Sequence, residues 1–250
     1  MTVSIVTGAA GGIGRAAALR AAATGPVALL DRDAAGLEAT ARALRDADGV
    51  CRIVEVDLAD AGSVESAVAE IERETGPVDA LAHCAGVLAT GPLIDATPDD
   101  WRRLLDVNLL GTVHIITAVG RRMTGRGRGS IVVVGSNAGV SPRVGLGAYG
   151  ASKAAAHSVA LTLGLELAEH GVRVNVVAPG STDTPMQEAF GGAQAAAVAV
   201  AGDLSRHRIG IPLGRIADPD DIAAAIDYLL GPGARHVTTQ VLTVDGGATR

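Results

Sequence analysis

A tyrosine and a lysine stand four residues apart, a spacing that can support acid–base chemistry. On a helix, Tyr149 and Lys153 would lie on one face about 6 Å apart. Lowering a phenol pKa from ~10 to the ~7 that suits a base at neutral pH takes roughly 4 kcal/mol, and a neighbouring ammonium can supply part of it. Ser136 comes 13 residues before Tyr149, at the end of a predicted strand. These three residues therefore predict a site of proton transfer.

A glycine-rich segment near the N-terminus has the pattern of a phosphate-binding turn. Segment 7–14, Thr-Gly-Ala-Ala-Gly-Gly-Ile-Gly, follows the first predicted strand and opens a helix, so its N–H groups can face a pyrophosphate. Asp31 follows 17 residues after Gly14, where dinucleotide-binding folds place an acid beside the ribose. Its charge would repel a 2′-phosphate, so we expect NAD rather than NADP. The alternative, that Asp31 only begins a turn, stays open.

Two further segments bear on the substrate. Arg143 lies in the loop between Ser136 and Tyr149, where its guanidinium can clamp a carboxylate, although an ordinary surface arginine is the alternative. Segment 186–210 is long, rich in Ala and Gly, and has no clear strand. It predicts a mobile lid with one or two helices.

These side chains must be positioned by alternating strands and helices. Apolar runs predict strands at 3–6, 27–30, 52–56, 80–82, 131–134, 173–177 and 241–244. Helical spacing predicts helices at 13–23, 34–45, 63–74, 99–122, 152–170 and 220–230. This order predicts an α/β fold of the Rossmann type, doubly wound, with a seven-stranded parallel sheet and helices on both faces. Without an internal linker, we expect a single domain over residues 1–250.

Composition excludes several classes of function. The net charge of −6 disfavours nucleic acid and anionic membranes as partners. The two cysteines show no pattern of a metal site or disulfide framework, so we expect no metal and a reducing, cytoplasmic location. We also expect neither a signal peptide nor a membrane span, on the reading that no apolar stretch approaches 18 residues.

The glycine turn and the Ser–Tyr–Lys set together resemble the short-chain dehydrogenase/reductase family. Thr7, Gly8, Gly12 and Gly14 match its Thr-Gly-x-x-x-Gly-x-Gly signature, and the resemblance extends to the Asp-Gly-Gly at 245–247. It implies a catalytic set of Asn108, Ser136, Tyr149 and Lys153. In this set, serine orients the substrate oxygen and tyrosine exchanges its proton. Lysine lowers the tyrosine pKa and holds the nicotinamide ribose, while the asparagine main chain holds a water of the proton relay.

The same resemblance implies a complete NAD site. Asp57 would hold the adenine amine, and the turn after the sixth strand would flank the nicotinamide. The expected cofactor-binding residues are Gly8, Gly12, Ile13, Gly14, Asp31, Asp57, Leu58, Ala85, Gly86, Tyr149, Lys153, Pro179, Gly180, Thr182 and Thr184. One departure is that His83-Cys84-Ala85-Gly86 stands where the family usually has Asn-Asn-Ala-Gly. We expect His83 and Cys84 to be packed substitutes on the adenosine side.

Within the family, segments 141–153, 174–187 and 209–214 resemble members that oxidise carboxylated cyclohexadienyl alcohols to aromatic products in siderophore or related secondary metabolism. The substrate-binding residues so implied are Ser136, Arg143, Tyr149, Met186 and Gln187. A substrate with a hydroxyl and one with an amine on the carbon next to the reacting carbon fit this resemblance equally well. A 3-oxoacyl carrier-protein reductase and a dinucleotide-sensing regulator are the alternatives, opposed respectively by Asp31 and by the intact Tyr149/Lys153 pair.

The family resemblance also implies a homotetramer. Members of this kind pair through the helices that contain Asn108 and Tyr149. In this chain the small face of Ala154, Ala155, Ser158 and Leu161 would allow close helix packing.

Overall fold

The computed structural model describes residues 3–188 and 191–249, and a single parallel sheet of seven strands forms its centre. The strand order is β3-β2-β1-β4-β5-β6-β7, so the winding direction reverses between β1 and β4. In such sheets a binding crevice opens at this reversal, beyond the carboxyl ends of the strands. The strands are β1 (Val3–Thr7), β2 (Val27–Asp31), β3 (Cys51–Glu55), β4 (Val78–His83), β5 (Gly129–Val134), β6 (Val172–Pro179) and β7 (Val241–Val244).

Helices cover both faces of this sheet, as predicted. The α-helices of the described residues are α1 (Gly12–Ala21), α2 (Ala34–Arg45), α3 (Ala61–Thr75), α4 (Pro98–Leu104), α5 (Gly111–Arg126), α6 (Gly147–Ala168), α7 (Pro185–Glu188), α8 (Gly192–Ala201) and α9 (Pro219–Leu230). Apolar residues of α3, α5 and α6 form one core with the sheet, and those of α1, α2 and α9 form another on the opposite face. Because central strands are covered on both sides, β1 is buried at every position.

The fold class and all seven strands predicted from the sequence are confirmed, with strand ends shifted by one or two residues. Two helix boundaries differ more. The helix α6 begins at Gly147 rather than at 152, which places Tyr149 on its first turn. The run predicted over 99–122 continues to Arg126, because the left-handed residue that ends it is Gly127, with φ +69°.

The predicted lid contains the expected helices. They are α7 and α8, followed by a short 3₁₀ turn (Leu204–Arg206) and an antiparallel bridge between Asp203 and Arg208. Ala189 and Phe190, which fall within the predicted lid, lie outside the described residues, as do positions 1, 2 and 250 of the predicted domain. Mobility of this segment stays a prediction.

One helical run is longer and more apolar than the sequence suggested. Pro98–Arg126 includes a window with mean hydropathy 1.2 that is long enough to cross a membrane, so the expectation of no stretch near 18 residues was wrong. Half of that window is buried inside the protein, and Ile115, Ile116 and Val119 are fully buried against the sheet. This run is therefore a core helix of the fold.

Candidate active site

Two cavities open at the carboxyl ends of the strands, and they share residues of their walls. The larger, of about 710 Å³, contains Ser136, Tyr149 and Lys153 in its wall, and the smaller, of about 390 Å³, contains the glycine-rich turn and Asp31. Both are lined by Ile13, Cys84, Gly86, Thr184 and Met186. A single ligand can therefore extend from one cavity into the other.

The structure brings together nearly all the residues that the sequence predicted for this site. The larger cavity is lined by all five predicted substrate-binding residues and by Pro179, Gly180 and Thr182. The smaller is lined by Gly8, Gly12, Gly14, Asp57, Leu58 and Ala85. Of the predicted catalytic set, only Asn108 is absent from both walls, and it lies directly behind them, with its Oδ1 3.2 Å from where a Cβ on Gly86 would stand.

The helix α6 presents the phenol and the ammonium as the spacing predicted. Lys153 Nζ lies 6.0 Å from the centre of the Tyr149 ring and donates a hydrogen bond of 3.1 Å to the carbonyl of Val134. Both side chains are buried, with Lys153 5% and Tyr149 8% exposed. The ammonium is thus held between the end of strand β5 and the tyrosine.

Burial dominates the titration of both groups. It raises the pKa of Tyr149 above its usual value, while a hydrogen bond with Ser136 acts in the lowering direction. It lowers the pKa of Lys153 to about 8. The net result for the protein alone is a raised tyrosine pKa, because removal of the phenol from water outweighs the hydrogen bond with Ser136. The lowering of the tyrosine pKa by Lys153 stays a prediction.

A histidine that the sequence reading missed holds the backbone of Ser136. His157 Nε2 accepts the Ser136 N–H at 3.2 Å, and the imidazole is 6% exposed. Burial, then the Lys153 charge, lowers the pKa of His157 to about 4, so the ring is neutral and can accept this bond. The signal was present in the sequence, because His157 follows Lys153 by the same four-residue step that joins Lys153 to Tyr149.

Asn108 lies in a distorted turn of the long helical run. Residues Leu105–Leu110 form a π-helical turn, a feature often found at functional sites. The side chain accepts the Val87 N–H at 2.8 Å, and its amide donates to the Val87 carbonyl at 2.9 Å and to Ser152 Oγ at 3.0 Å. The main-chain carbonyl of Asn108 accepts a hydrogen bond from Thr112 Oγ1 at 2.7 Å. Asn108 is fully buried and held on every side.

The glycine turn is too crowded for side chains and leaves a helix terminus open. Gly8 has φ +67°, and a Cβ on it would lie 2.8 Å from the Ala85 nitrogen. A Cβ on Gly14 would lie 2.0 Å from the Gly8 carbonyl oxygen. The N-cap of α1 is Gly11, which provides no side-chain cap for the first N–H groups. Such a cradle fits the pyrophosphate of a dinucleotide.

Acidic residues stand at the far end of this cradle. Asp31 accepts the N–H groups of Arg32 at 2.8 Å, Asp33 at 3.1 Å and Ala10 at 3.2 Å, so it does organise the turn that the alternative interpretation described. It also lines the smaller cavity, as does Asp57. The carboxylate is thus both a turn residue and a wall of the cavity.

Of the two residues that depart from the family pattern, only Cys84 reaches a cavity. It lines both cavities, and burial raises the pKa of its thiol to about 12. His83 is fully buried between Thr7 and Thr112, so the expectation that it faces the adenosine side was wrong. The packed role expected of His83 agrees with this burial.

Arg143 lines the larger cavity but is partly committed to the end of the chain. Its Nη2 donates to the Ala248 carbonyl at 3.0 Å and to Thr249 Oγ1 at 3.2 Å. Its Nε is buried and has no hydrogen-bond partner in residues 3–188 and 191–249. Burial, then the charge of Arg208, lowers the pKa of Arg143 from its usual value. Contacts with residues more than 100 positions away left no trace in the local sequence.

Two arginines of the predicted lid complete a positive wall that the sequence reading missed. Arg206 and Arg208 line the larger cavity together with Arg143 and Lys153, while no aspartate or glutamate of the described ranges lines it. The guanidinium of Arg206 packs against Gly145, where a Cβ would come within 3.0 Å of Nη2. The wall is strongly positive in a protein whose net charge is −6. Such a cavity favours an anion.

Comparisons with known proteins agree with this geometry. A family model described as short chain dehydrogenase matches residues 2–195. The chain is 39% identical over 249 residues, which is 99% of this chain and 95% of the relative, to a 2,3-dihydro-2,3-dihydroxybenzoate dehydrogenase of Bacillus subtilis (strain 168).

Solved structures give the same fold with different ligands. A variant of an actinorhodin polyketide ketoreductase, solved with NADPH, has a TM-score of 0.92 and 32% identity, covering 100% of this chain and 97% of that chain. An NAD⁺-bound xylitol dehydrogenase has a TM-score of 0.89 and 32% identity, covering 98% of both chains. These relatives share a nicotinamide dinucleotide but differ in which one they hold and in the substrates they are named for.

Proposed function

The chain belongs to the short-chain dehydrogenase/reductase family, and from this we propose that it oxidises a carboxylated cyclohexadienyl alcohol to an aromatic product with NAD. The substrate that fits best is 2,3-dihydro-2,3-dihydroxybenzoate, which would give 2,3-dihydroxybenzoate. The observation that carries this proposal is the positive cavity wall of Arg143, Arg206 and Arg208 beside Ser136 and Tyr149. A neutral polyol would gain little from three arginines.

The residues of the site would divide the reaction among them. Ser136 would orient the ring hydroxyl at C3, and the Tyr149 phenolate would take its proton. A bound oxidised nicotinamide supplies the acceptor for the hydride that leaves C3. The ketone so formed tautomerises to a catechol, and aromatisation makes the oxidation effectively one-way. Met186 and Gln187, at the start of the lid, would close over the ring.

The phenol must lose its proton although burial raises the pKa of Tyr149. Lys153, with a pKa of about 8, carries a positive charge at neutral pH, and it would act together with the positive charge of the bound cofactor. From Tyr149 the proton would pass toward Lys153 and a water held by the Asn108 main chain. This role of Asn108 rests on the family resemblance.

NAD is the cofactor that Asp31 favours. Its carboxylate lines the smaller cavity at the end of β2, where it would hydrogen-bond ribose hydroxyls and repel a 2′-phosphate. Arg32 follows immediately and also lines the smaller cavity, so its positive charge acts against this preference. The proposal of NAD therefore rests on the Asp31 carboxylate, which the N–H groups of Ala10, Arg32 and Asp33 hold in place.

The carboxylate of the substrate would be shared among the three arginines. One amino group of Arg143 is already engaged by the C-terminal segment, so the remaining donors of Arg143 would act together with Arg208 and Arg206. A planar guanidinium suits a carboxylate because it can donate two parallel hydrogen bonds.

The test is turnover of a matched panel of alcohols with NAD, followed by the absorbance of NADH. The panel is 2,3-dihydro-2,3-dihydroxybenzoate, its analogue with an amine at C2 (trans-2,3-dihydro-3-hydroxyanthranilate) and the dihydrodiol lacking the carboxylate. We expect the two acids to be oxidised with much higher kcat/KM than the third compound, and Tyr149→Phe to bind NAD but to lose turnover by several orders of magnitude.

Equal rates with and without the carboxylate would contradict the proposal. The absence of turnover with every compound would favour a dinucleotide-sensing regulator, and reduction of a 3-oxoacyl carrier protein would favour a reductase.

A further inference from the structure

The residue that departs most clearly from the family pattern occupies the centre of a buried hydrogen-bond chain. His83 is the last residue of β4 and pairs in register with Thr7 of β1. Its Nδ1 lies 2.7 Å from Thr7 Oγ1, and its Nε2 lies 2.9 Å from Thr112 Oγ1 on α5. His83 and Thr7 are 0% exposed, and Thr112 is 2% exposed. Water therefore does not compete for these bonds.

The direction of each bond follows from the number of protons available. The single hydroxyl proton of Thr112 goes to the Asn108 carbonyl at 2.7 Å, so Thr112 Oγ1 must accept from His83 Nε2–H. A neutral imidazole with a proton on Nε2 has a lone pair on Nδ1. It must then accept the hydroxyl proton of Thr7.

The other end of the chain reaches the cofactor cradle. Thr7 Oγ1 accepts the backbone N–H groups of Cys84 at 3.2 Å and Ala85 at 3.3 Å. These residues line the smaller cavity next to Gly8. The bonds thus run with a single polarity from the cradle, through one imidazole, to the carbonyl of Asn108.

The imidazole has the charge state that this chain requires. Burial, with a further contribution from the Lys153 charge, lowers the pKa of His83 to about 3. The ring is therefore neutral at physiological pH. A protonated ring would need an acceptor at Nδ1 as well, and Thr7 Oγ1 would then have to turn its own proton elsewhere.

We infer that His83 is a positioning residue that joins the cofactor cradle to the Asn108 carbonyl and fixes the orientation of that carbonyl. Thr112 holds one lone pair of this main-chain carbonyl, and the other would accept the water of the relay. This inference rests on the proposed function, which gives the Asn108 main chain its part in proton release. Its structural component, a single tautomer of His83, stands independently of any substrate.

The first test reads the tautomer of His83 directly in the wild-type protein. In the ¹⁵N NMR spectrum of the labelled wild-type protein, His83 should show a protonated Nε2 and an unprotonated Nδ1, unchanged between pH 5 and 9. Its signals are assigned among the six histidines by their loss in His83→Asn. A titrating ring, or a proton on Nδ1, would overturn the inference. This result does not depend on which alcohol the enzyme oxidises.

The second test uses a matched pair of threonines on α5. Thr112 and Thr117 each donate a hydroxyl proton at 2.7 Å to the carbonyl four residues earlier, but only Thr112 has an imidazole partner within the described part of the chain. We expect Thr112→Val to lower kcat at least tenfold while KM for NAD changes by less than twofold, and Thr117→Val to leave both unchanged. If both variants keep the wild-type kcat, or lose it equally, the inference fails.

Substitution of the histidine separates positioning from packing. His83→Phe fills the space without hydrogen bonds, so it should lower kcat and also raise KM for NAD, because Thr7 loses its acceptor. His83→Asn keeps a donor and an acceptor and should restore most of kcat. If Phe and Asn at this position behave alike, packing alone explains the residue. Rates are measured with whichever alcohol the wild type oxidises. A wrong substrate assignment is detected separately, because the wild type would then fail to oxidise the proposed carboxylated alcohol.

Discussion

Asp31 has two tasks that a pair of substitutions can separate. Asp31→Ala removes a ribose acceptor and a repulsive charge, so we expect NAD binding to weaken by about 10- to 100-fold and the preference over NADP to narrow. Asp31→Asn keeps an acceptor for the N–H groups of the turn and removes only the charge. Asp31→Asn should therefore improve NADP binding and weaken NAD binding less than Asp31→Ala does. Titration calorimetry measures all six dissociation constants, those of the wild type and the two variants for NAD and NADP, and a wild type that binds NADP as tightly as NAD would contradict the assignment.

Arg208 gives the cleanest test of carboxylate recognition, because Arg143 also holds the C-terminal segment. We expect Arg208→Ala to lower kcat/KM for the carboxylated substrate by about 10- to 100-fold, equivalent to about 1.4 to 2.7 kcal/mol. Arg143→Ala should lower it by a similar or larger factor.

The controls separate recognition from folding. Arg42→Ala removes an exposed arginine of α2 that does not line the larger cavity and should have no effect. With the dihydrodiol that lacks the carboxylate, Arg208→Ala should match the wild type. An equal loss on both substrates would mean that Arg208 only supports the lid.

Sequence predicts residues of a site best when their geometry is local. Tyr149 and Lys153 could be identified because a four-residue step on one helix fixes their separation. The bonds of Arg143 to Ala248 and Thr249, and the approach of Arg206 to Gly145, join segments far apart in the chain, so no periodicity encodes them. The raised pKa of Tyr149 was missed for the same reason, since burial is a property of the assembled core.

At the scale of single elements, two glycines with helical positions should respond in opposite ways to alanine. In Gly14→Ala the new Cβ would lie 2.0 Å from the Gly8 carbonyl oxygen, which forces the cradle apart. We expect a loss of about 1 to 3 kcal/mol of stability and of NAD binding. Gly125, near the end of α5, has no atom of the described residues within 4 Å of the corresponding Cβ, apart from its chain neighbours and its own helix backbone, so Gly125→Ala should stabilise by about 0.5 to 1 kcal/mol. Urea unfolding measures both, and destabilisation by the second substitution would contradict this expectation.

The elements themselves were largely predictable because strands and helices have different periods. The strands of a doubly covered sheet are short apolar runs, and all seven were found. The errors arose where two signals compete. Glycines stand at 125, 127 and 129, and it is Gly127 that ends α5 in a left-handed conformation, beyond the end predicted at 122. At the start of α6, small residues at 147–151 gave no amphipathic pattern, so its first turn was missed.

At the scale of the whole molecule, the two buried histidines should make the fold sensitive to acid. The pKa of His83 is lowered to about 3 and that of His157 to about 4, whereas an unfolded histidine titrates near ~6.5. Between these values the unfolded chain binds more protons, so stability falls as pH decreases below ~6.5. Keeping each ring neutral therefore lowers the free energy of unfolding at pH 5 by about 2 kcal/mol relative to pH 7.

Urea unfolding at pH 7 and pH 5 measures this loss, and His157→Asn provides the comparison. The free energy of unfolding should still be lower at pH 5 than at pH 7. Removal of one of the two histidines should reduce their contribution to this difference by about half. If the variant keeps the full pH dependence of the wild type, His157 is not the buried neutral group that the structure indicates.

Assembly is the remaining property of the whole molecule, and the surface of α6 makes it testable. Between positions 151 and 165 of this helix, the exposed residues form an uncharged stripe repeating every three or four residues, and Leu165 is 70% exposed. The stripe consists of Ala151, Ala154, Ser158, Thr162 and Leu165. Small residues allow a second helix to approach closely, and the family resemblance predicts a homotetramer built on this helix and α5.

We therefore expect a tetramer in sedimentation velocity at micromolar concentration. Ala154→Arg should shift it to smaller species, because the charge would be buried in the contact between helices. Ala39→Arg, on the exposed face of α2, adds the same charge away from the stripe and should leave the tetramer intact. A wild-type monomer, or a tetramer that tolerates Ala154→Arg, would exclude this face as the interface.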